Sequence, residues 1–172
     1  MSEGPTNFGK PLLYIVILGC AGGGYYAYSH WPAGYDGDRW SISMPHGWTA
    51  APANDPGDPM KVAVGGGPLP KTPDGVEQSG VIWMKVVYHG TLDWQMYMNN
   101  HIPGTPDWTG DDDIDYKHSR QFMYEDANTR YYGIMVDRGD ALIIAALGTT
   151  KTNFPIYKPL FEKACRSIRC QR

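Results

Sequence analysis

The chain has 172 residues, with 15 Lys and Arg against 18 Asp and Glu, for a net charge of −3. A charge so close to neutral offers no basic surface for nucleic acid, and we predict no nucleic-acid partner. Charged residues make up 19% of the chain and aromatic residues 13%. This composition fits either an aromatic-rich β-sheet core or the Trp, Tyr and Met that buried interfaces favour.

A polar tail at 1–10 precedes a run of 18 uncharged residues at 11–28 (PLLYIVILGCAGGGYYAY). As a helix this run would be about 27 Å long, close to the roughly 30 Å of a hydrocarbon core, so we predict one transmembrane helix in a lipid bilayer. Lys10 precedes the run and no Lys or Arg follows before Arg39, which places the N-terminus in the cytoplasm and the larger part outside, in the periplasm. Aromatic residues that favour the membrane interface crowd the far end: Tyr25, Tyr26, Tyr28 and Trp31.

Small residues in this run indicate a partner within the membrane. Gly19 and Gly23 form a G-x-x-x-G pair. Because lipid provides no hydrophobic drive for helix pairing, association relies on close backbone approach over small residues. We predict that this pair packs against integral membrane protein subunits. The alternative is that the glycines only make the end of the helix less rigid and that the helix has no partner.

Two other interpretations of the run at 11–28 remain open. A cleaved signal peptide also has a short apolar core followed by small residues. A lipoprotein anchor would carry its lipid on Cys20, because residues 17–20 (ILGC) loosely match a lipobox, although Leu18 is large where a small residue is usual.

A linker at 29–38 leads into residues 39–172, which are long enough for one compact domain. Residues 39–44 alternate apolar and polar side chains, which predicts a strand. Three prolines in 49–59 predict a loop, and 61–64 is predicted as a short strand.

The middle of the domain alternates loops with regular elements. Residues 65–80 are rich in Gly and Pro, which predicts a long surface loop or the end of a hairpin. Residues 81–88 (VIWMKVVY) predict a central strand, and Thr91 is a suitable N-cap for a helix at 92–101. Residues 103–113 are predicted as a second loop.

Three successive strands follow, at 116–124, 129–136 and 141–148 (ALIIAALG), and their succession predicts an antiparallel meander. Arg138-Gly139-Asp140 spells an adhesion tripeptide, but Gly and Asp are expected in a hairpin turn for backbone reasons. Asn153 is predicted to cap a final helix whose apolar residues follow i, i+3, i+4 spacing: Ile156, Tyr157, Leu160, Phe161, Ala164, Cys165 and Ile168. The fold class is therefore α+β, an antiparallel sheet with helices packed on its faces.

Four aspartates are the weak candidates for a metal site: Asp111, Asp112, Asp113 and Asp115. Clustered carboxylates suit a hard cation such as calcium, but the spacing is not that of an EF-hand. A solvated acidic segment, or one that meets a basic partner, is the alternative and the preferred interpretation. We therefore predict no metal.

Cys165 and Cys170 are five residues apart near the C-terminus. In one continuous helix their side chains would diverge, so a disulfide requires that the helix end between them. Both the bridged and the free states stay open. No catalytic or cofactor motif is present in the sequence, and we predict neither an enzyme nor a cofactor of its own.

Residues 40–48 (WSISMPHGW) resemble the opening strand and P-x-x-W corner of the PsbP-like family, the extrinsic lumenal subunits of photosystem II and their bacterial relatives. The strand and helix at 81–101 and those at 141–168 resemble the same order of elements. The resemblance implies an α-β-α sandwich on an antiparallel sheet. It also implies a protein that binds and stabilises a larger assembly and catalyses nothing. Plant members arrive through a cleaved transit peptide, whereas the predicted uncleaved anchor fits a permanent membrane subunit.

The sequence thus predicts a non-catalytic, single-span accessory subunit that stabilises or helps assemble a membrane complex. The resemblance favours a photosynthetic reaction-centre or light-harvesting complex, where the chain would contact pigments or lipids of the host. No small-molecule substrate is predicted. The alternative is a periplasmic small-ligand-binding lipoprotein anchored through Cys20.

Overall fold

The structure, a computed structural model, describes residues 33–53, 61–88 and 106–171. Within them the chain forms these elements in order: β1 (Ala33–Gly37), β2 (Trp40–Met44), β3 (Thr49–Pro52), β4 (Lys61–Leu69), β5 (Gln78–Tyr88), β6 (Asp107–Ile114), β7 (Lys117–Glu125), β8 (Thr129–Asp137), β9 (Ala141–Thr150), α1 (Phe154–Cys165) and β10 (Arg169–Cys170). No helix of this part of the chain is long and apolar enough to cross a membrane. The predicted span at 11–28 lies outside the described residues.

Seven strands form a large sheet in the order β3-β4-β5-β9-β8-β7-β6, and each neighbouring pair is antiparallel. The predicted meander is confirmed as β7, β8 and β9, with β6 added at its outer edge. A second, three-stranded sheet has the order β1-β2-β10.

The apolar run of β9 is buried on both faces of the large sheet. Ile143 and Leu147 belong to one hydrophobic cluster, whereas Leu142 and Ile144 belong to a second cluster. Because successive side chains of a strand point to opposite faces, β9 separates two cores and needs apolar residues at every position. This explains why its sequence shows no alternation.

The small sheet and α1 cover the same face of the large sheet. Trp40, Ile42 and Met44 of β2 and Phe161 of α1 join the cluster that contains Ile143. The helix contacts β2, β8 and β9. The predicted packing of this final helix on the sheet is therefore confirmed, whereas the predicted helix at 92–101 lies outside the described residues.

The segment at 40–48, which resembles the PsbP-like family, connects the two sheets. Its Trp48 amide donates to the Pro45 carbonyl at 3.1 Å, which closes the corner after β2. The Trp48 indole N–H donates to the Pro68 carbonyl at 2.8 Å. Trp48 is also fully buried, so the corner anchors the small sheet to the large one.

At 65–80 the structure has the end of a hairpin, one of the two predictions for this segment, and not a long loop. Gly65, Gly66 and Gly67 all pair within the large sheet. A Cβ at Gly65 would lie 1.9 Å from the Thr49 carbonyl oxygen, and one at Gly67 would lie 2.7 Å from the Trp48 ring. These residues are glycine because the neighbouring chain approaches closely, a role that glycine also has within strands. Only the turn before Gln78 remains a loop.

Three further strands lie where the sequence predicted irregular chain. β1 occupies part of the predicted linker at 29–38, β3 lies within the predicted loop at 49–59, and β6 replaces most of the predicted loop at 103–113. β3 and β6 are the two edge strands of the large sheet, where strand sequences need not be apolar. Asn153 occupies the predicted N-cap of α1, but its side chain makes no capping hydrogen bond.

Gly133 provides a test of this packing. It lies opposite Phe122 on β7, and a Cβ at Gly133 would come within 2.3 Å of the buried Phe122 ring. We expect Gly133→Ala to lower the free energy of unfolding by roughly 1–3 kcal/mol through overpacking, measured by urea denaturation. Gly34→Ala is the matched control, because nothing lies within 4 Å of its added Cβ. Equal stability of the two variants would contradict the assigned register of β7 and β8.

Candidate functional site

The membrane residues predicted from the sequence lie outside the described residues. These are the packing pair Gly19 and Gly23, the lipidation candidate Cys20, and the interface residues Tyr25, Tyr26, Tyr28 and Trp31. They stay predictions.

The four aspartates of the acidic segment are not brought together. Asp111 accepts a hydrogen bond from Arg120 Nε at 2.8 Å, and Arg120 also lies over the Trp108 ring at 4.1 Å. Asp112 accepts one from Arg166, which follows α1. Since neighbouring residues of β6 point to opposite faces, the strand itself separates these two carboxylates.

The remaining two aspartates are no closer to forming a site. The Asp113 backbone amide donates to Asp112 Oδ1 at 2.8 Å. Asp115 lies in the β6–β7 turn with a positive φ and accepts from the Cys170 amide at 2.8 Å. No group of three or more metal-ligating side chains occurs within residues 33–53, 61–88 and 106–171.

Cys165 and Cys170 are both free thiols in the structure. Cys165 is the last residue of α1, so the helix does end between them as a disulfide would require. The Cys165 thiol lies in the core, 4.0 Å from the Ala145 carbonyl oxygen, and burial raises its pKa. Cys170 pairs with Trp40 across β10 and β2. The structure thus has the free state of the pair, one of the two states that the sequence left open.

A buried arginine was not singled out by the sequence. The Arg138 side chain is only 4% exposed, and its Nε and Nη2 donate to the two carboxylate oxygens of Asp140 at 2.6 and 2.9 Å. Its Nη1 donates to the Asp38 carbonyl at 2.8 Å. Such a bidentate, charge-assisted arrangement is both strong and directional.

Neighbouring groups extend this arrangement into the Arg138 cluster, which comprises Arg138, Asp140, Asp38, Arg39 and Tyr88. Arg39 pairs with Asp140 at 3.3 Å, and the Tyr88 hydroxyl donates to Asp38 Oδ2 at 2.6 Å. The cluster joins the β1–β2 turn to the β8–β9 turn and to the end of β5. Because the chain itself engages the charged groups of Arg138 and Asp140, we assign the cluster a structural role.

An apolar cleft of about 210 Å³ opens beside the same hairpin. Its lining includes Tyr35, Trp40, Val62, Met84 and Val86. Several of these are core residues, so the cleft reaches the hydrophobic interior. It is large enough for a small apolar ligand.

A second apolar depression lies on the outside of α1. We call it the α1 groove, and its lining is Pro70, Lys71, Pro73, Ile156, Tyr157, Pro159, Leu160 and Lys163. One wall is the β4–β5 loop and the other is the helix. Ile156 remains 49% exposed, which is unusual for a large aliphatic side chain of an amphipathic helix.

A hydrogen bond fixes the two walls relative to each other. The Tyr157 hydroxyl donates to the Pro70 carbonyl at 2.6 Å. Within the loop the Thr72 amide donates to the Val76 carbonyl at 3.1 Å, and the Gly75 amide donates to the Thr72 carbonyl at 2.8 Å. The groove is therefore formed before any partner arrives, and we regard it as the candidate interaction site.

The Arg138 cluster predicts a measurable loss of stability. We expect Arg138→Met to lower the free energy of unfolding by about 2–3 kcal/mol, because hydrogen bonds from a charged donor are lost in a buried place. Lys158→Met is the control, since it removes only the exposed Lys158–Glu162 pair on α1. Thermal and urea unfolding of both variants would measure this, and a similar small effect in the two would contradict the role given to Arg138.

The same cluster predicts an acid-sensitive component of stability. The hydrogen bonds from Arg138 hold the pKa of Asp140 below its ordinary value of 3.8. A depressed folded-state pKa stabilises the fold above the ordinary value, and this contribution is lost as the pH falls from there through the folded-state pKa. We expect urea midpoints to fall in this window more steeply for the wild type than for Asp140→Asn. If the urea midpoints of the two proteins fall equally steeply over this pH range, the pair of Arg138 and Asp140 does not provide this stability.

The structure was compared with known proteins. It is similar to the solution structure of cyanobacterial PsbP (CyanoP) from Synechocystis, with a TM-score of 0.55 and 11% identity over 81% of this chain and 92% of that one. PA94 from Pseudomonas aeruginosa, a protein of unknown function, gives a TM-score of 0.49 at 13% identity over 83% and 99% of the two chains. That score is too low to carry an argument. The sequence itself matches no family model and no curated protein.

At 11% identity the CyanoP comparison establishes the fold alone. In the described residues this fold is a mostly antiparallel sheet with one helix. The second helical layer of the α-β-α sandwich that the resemblance implied stays a prediction. The chain therefore has a PsbP-like fold.

Proposed function

We propose that this chain is a non-catalytic accessory subunit that stabilises or helps assemble a larger membrane complex. The observation that carries the proposal is the PsbP-like fold, shared with a cyanobacterial PsbP protein. The resemblance of residues 40–48 to the PsbP-like family agrees with this fold, and those residues build the Trp48 corner that joins the two sheets. A photosynthetic reaction-centre or light-harvesting complex is the foremost host.

In this proposal the chain crosses the membrane once at residues 11–28. The N-terminus lies in the cytoplasm and the folded domain in the periplasm. Gly19 and Gly23 pack against integral membrane subunits, and the host supplies any pigments or lipids that the chain contacts. The chain itself holds no cofactor and turns over no substrate.

The packing pair provides the test. We expect Gly19→Leu/Gly23→Leu to release most of the chain from its complex, because the added side chains prevent close backbone approach. The measurement is the fraction of full-length chain that co-migrates with a membrane complex after mild detergent solubilisation.

Ala21→Leu/Gly24→Leu is the matched control. In the predicted helix these positions lie about 200° and 140° around the axis from residue 19, on the opposite side. The control should retain the chain at wild-type levels. Equal retention of both double variants would show that the Gly19/Gly23 face does not dock the helix.

The cleft beside Trp40 favours a second candidate, a periplasmic lipoprotein that is lipidated on Cys20 and binds a small ligand. Its lining of core residues, including Met84 and Val86, would suit an apolar ligand. Mass spectrometry of the mature N-terminus separates this candidate from the first.

A further inference from the structure

The apolar arc of α1 is wider than the sheet covers. Tyr157, Phe161 and Ala164 are buried against the core. Ile156, Leu160 and Lys163 repeat the same i, i+4, i+7 spacing one residue earlier, about 100° around the helix. This second stripe lines the α1 groove. Ile156 is left 49% exposed there, whereas Leu160 is partly buried and also packs against the core.

The opposite wall of the groove is also apolar and is held rigidly. Pro70 and Pro73 contribute its surface. Thr72 is buried, and its hydroxyl both donates to the Val76 carbonyl and accepts from the Val76 amide at 3.2 and 3.1 Å. A wall already fixed in shape loses little conformational freedom when a partner binds.

Charge at the rim limits the choice of partner. One lysine comes from each wall, Lys71 from the loop and Lys163 from the helix, and no acidic residue lines the groove. Lys71 pairs with Glu77 at 3.2 Å, but both side chains are well exposed. Such an exposed pair contributes little and can exchange partners. The groove therefore has an apolar floor and one lysine on each wall, and the β4–β5 loop also carries Asp74 and Glu77 outside the lining.

We propose that the α1 groove binds a segment of a partner subunit in which one or two apolar side chains are flanked by Asp or Glu. The apolar side chains lie between Pro73 and Leu160, and the carboxylates meet Lys71 and Lys163. This inference rests on the proposed function and names the chemistry of one partner. An anionic lipid surface fits less well, because lipid-binding patches use clusters of about four to eight basic residues.

The experiment uses the full-length chain in its native membranes with p-benzoylphenylalanine placed at position 156 for photo-crosslinking. The control probe is at position 116, because Tyr116 is 95% exposed in the β6–β7 turn, away from the groove lining. We expect the probe at 156, but not at 116, to crosslink to an acidic, apolar segment of a subunit, identified by mass spectrometry.

A charge reversal tests the rim. Lys163→Glu should lower the crosslink yield about fivefold, because a rim attraction becomes a repulsion. Lys158→Glu is the matched control, since Lys158 lies on the same helix but outside the groove lining and should leave the yield within twofold.

Other results would overturn the inference. Crosslinking of position 156 to lipid, or to a segment without Asp or Glu, would do so, as would a yield that Lys163→Glu leaves unchanged. Co-migration with a complex without any crosslink from position 156 above that from 116 would refute the groove and leave the proposed function standing. Migration of the chain alone would refute the proposed function, and the partner segment with it.

Discussion

The small sheet has little that could hold it together by itself. Its two longer strands have five residues each and β10 has two, and so small a sheet is stable only with its apolar face packed against other elements. The guanidinium of Arg138 supplies one attachment, because it bonds both the Asp140 carboxylate and the Asp38 carbonyl across a separation of 100 residues. The Trp48 corner supplies another at the opposite end of β2. The burial of Trp40, Ile42 and Met44 in the core and the hydrogen bonds between Ser43 and Ser167 add to these two attachments.

Once the small sheet is attached, it decides where α1 can lie. The helix packs beside β2 on the same face of the large sheet, and Phe161 fills the space next to Trp48 at a ring separation of 6.3 Å. This arrangement buries one stripe of the helix and leaves Ile156 at the outside. The candidate interaction surface is therefore a consequence of how two elements share one face. Besides this packing, it depends only on the hydrogen bond from the Tyr157 hydroxyl to the β4–β5 loop.

Sequence patterns predicted the elements that are buried and missed those that are at edges. The alternation of 39–44 and the apolar run of 141–148 correspond to β2 and β9, because burial on one face or on both leaves a clear pattern. β6 was predicted as a loop because an edge strand tolerates Gly110 and consecutive aspartates. The glycines of β4 were misread for a different reason: they allow Trp48 and the Thr49 carbonyl to approach, and those contacts are not visible in the sequence.

The candidate sites, like the strands, could be predicted from the sequence only where the pattern is local. The aspartates looked like one cluster, but strand geometry gives Asp111 and Asp112 different arginine partners, and Arg166 lies 54 residues from its partner. The Arg138-Gly139-Asp140 tripeptide contains both ends of the central ion pair, but no local signal could have found the Asp38 carbonyl, which lies 100 residues from Arg138. The α1 groove did leave a signal. Ile156 widens the apolar face of the predicted helix, and it is the large apolar side chain of α1 that stays exposed.

The central claim is that this chain is a subunit of a larger membrane complex. The most direct measurement is mild detergent solubilisation of native membranes, native gel separation, and mass spectrometry of the band that holds the chain. We expect the chain to migrate with a large complex and to retain the peptides that precede Cys20. Migration of the chain alone, with residues before Cys20 missing, would contradict it.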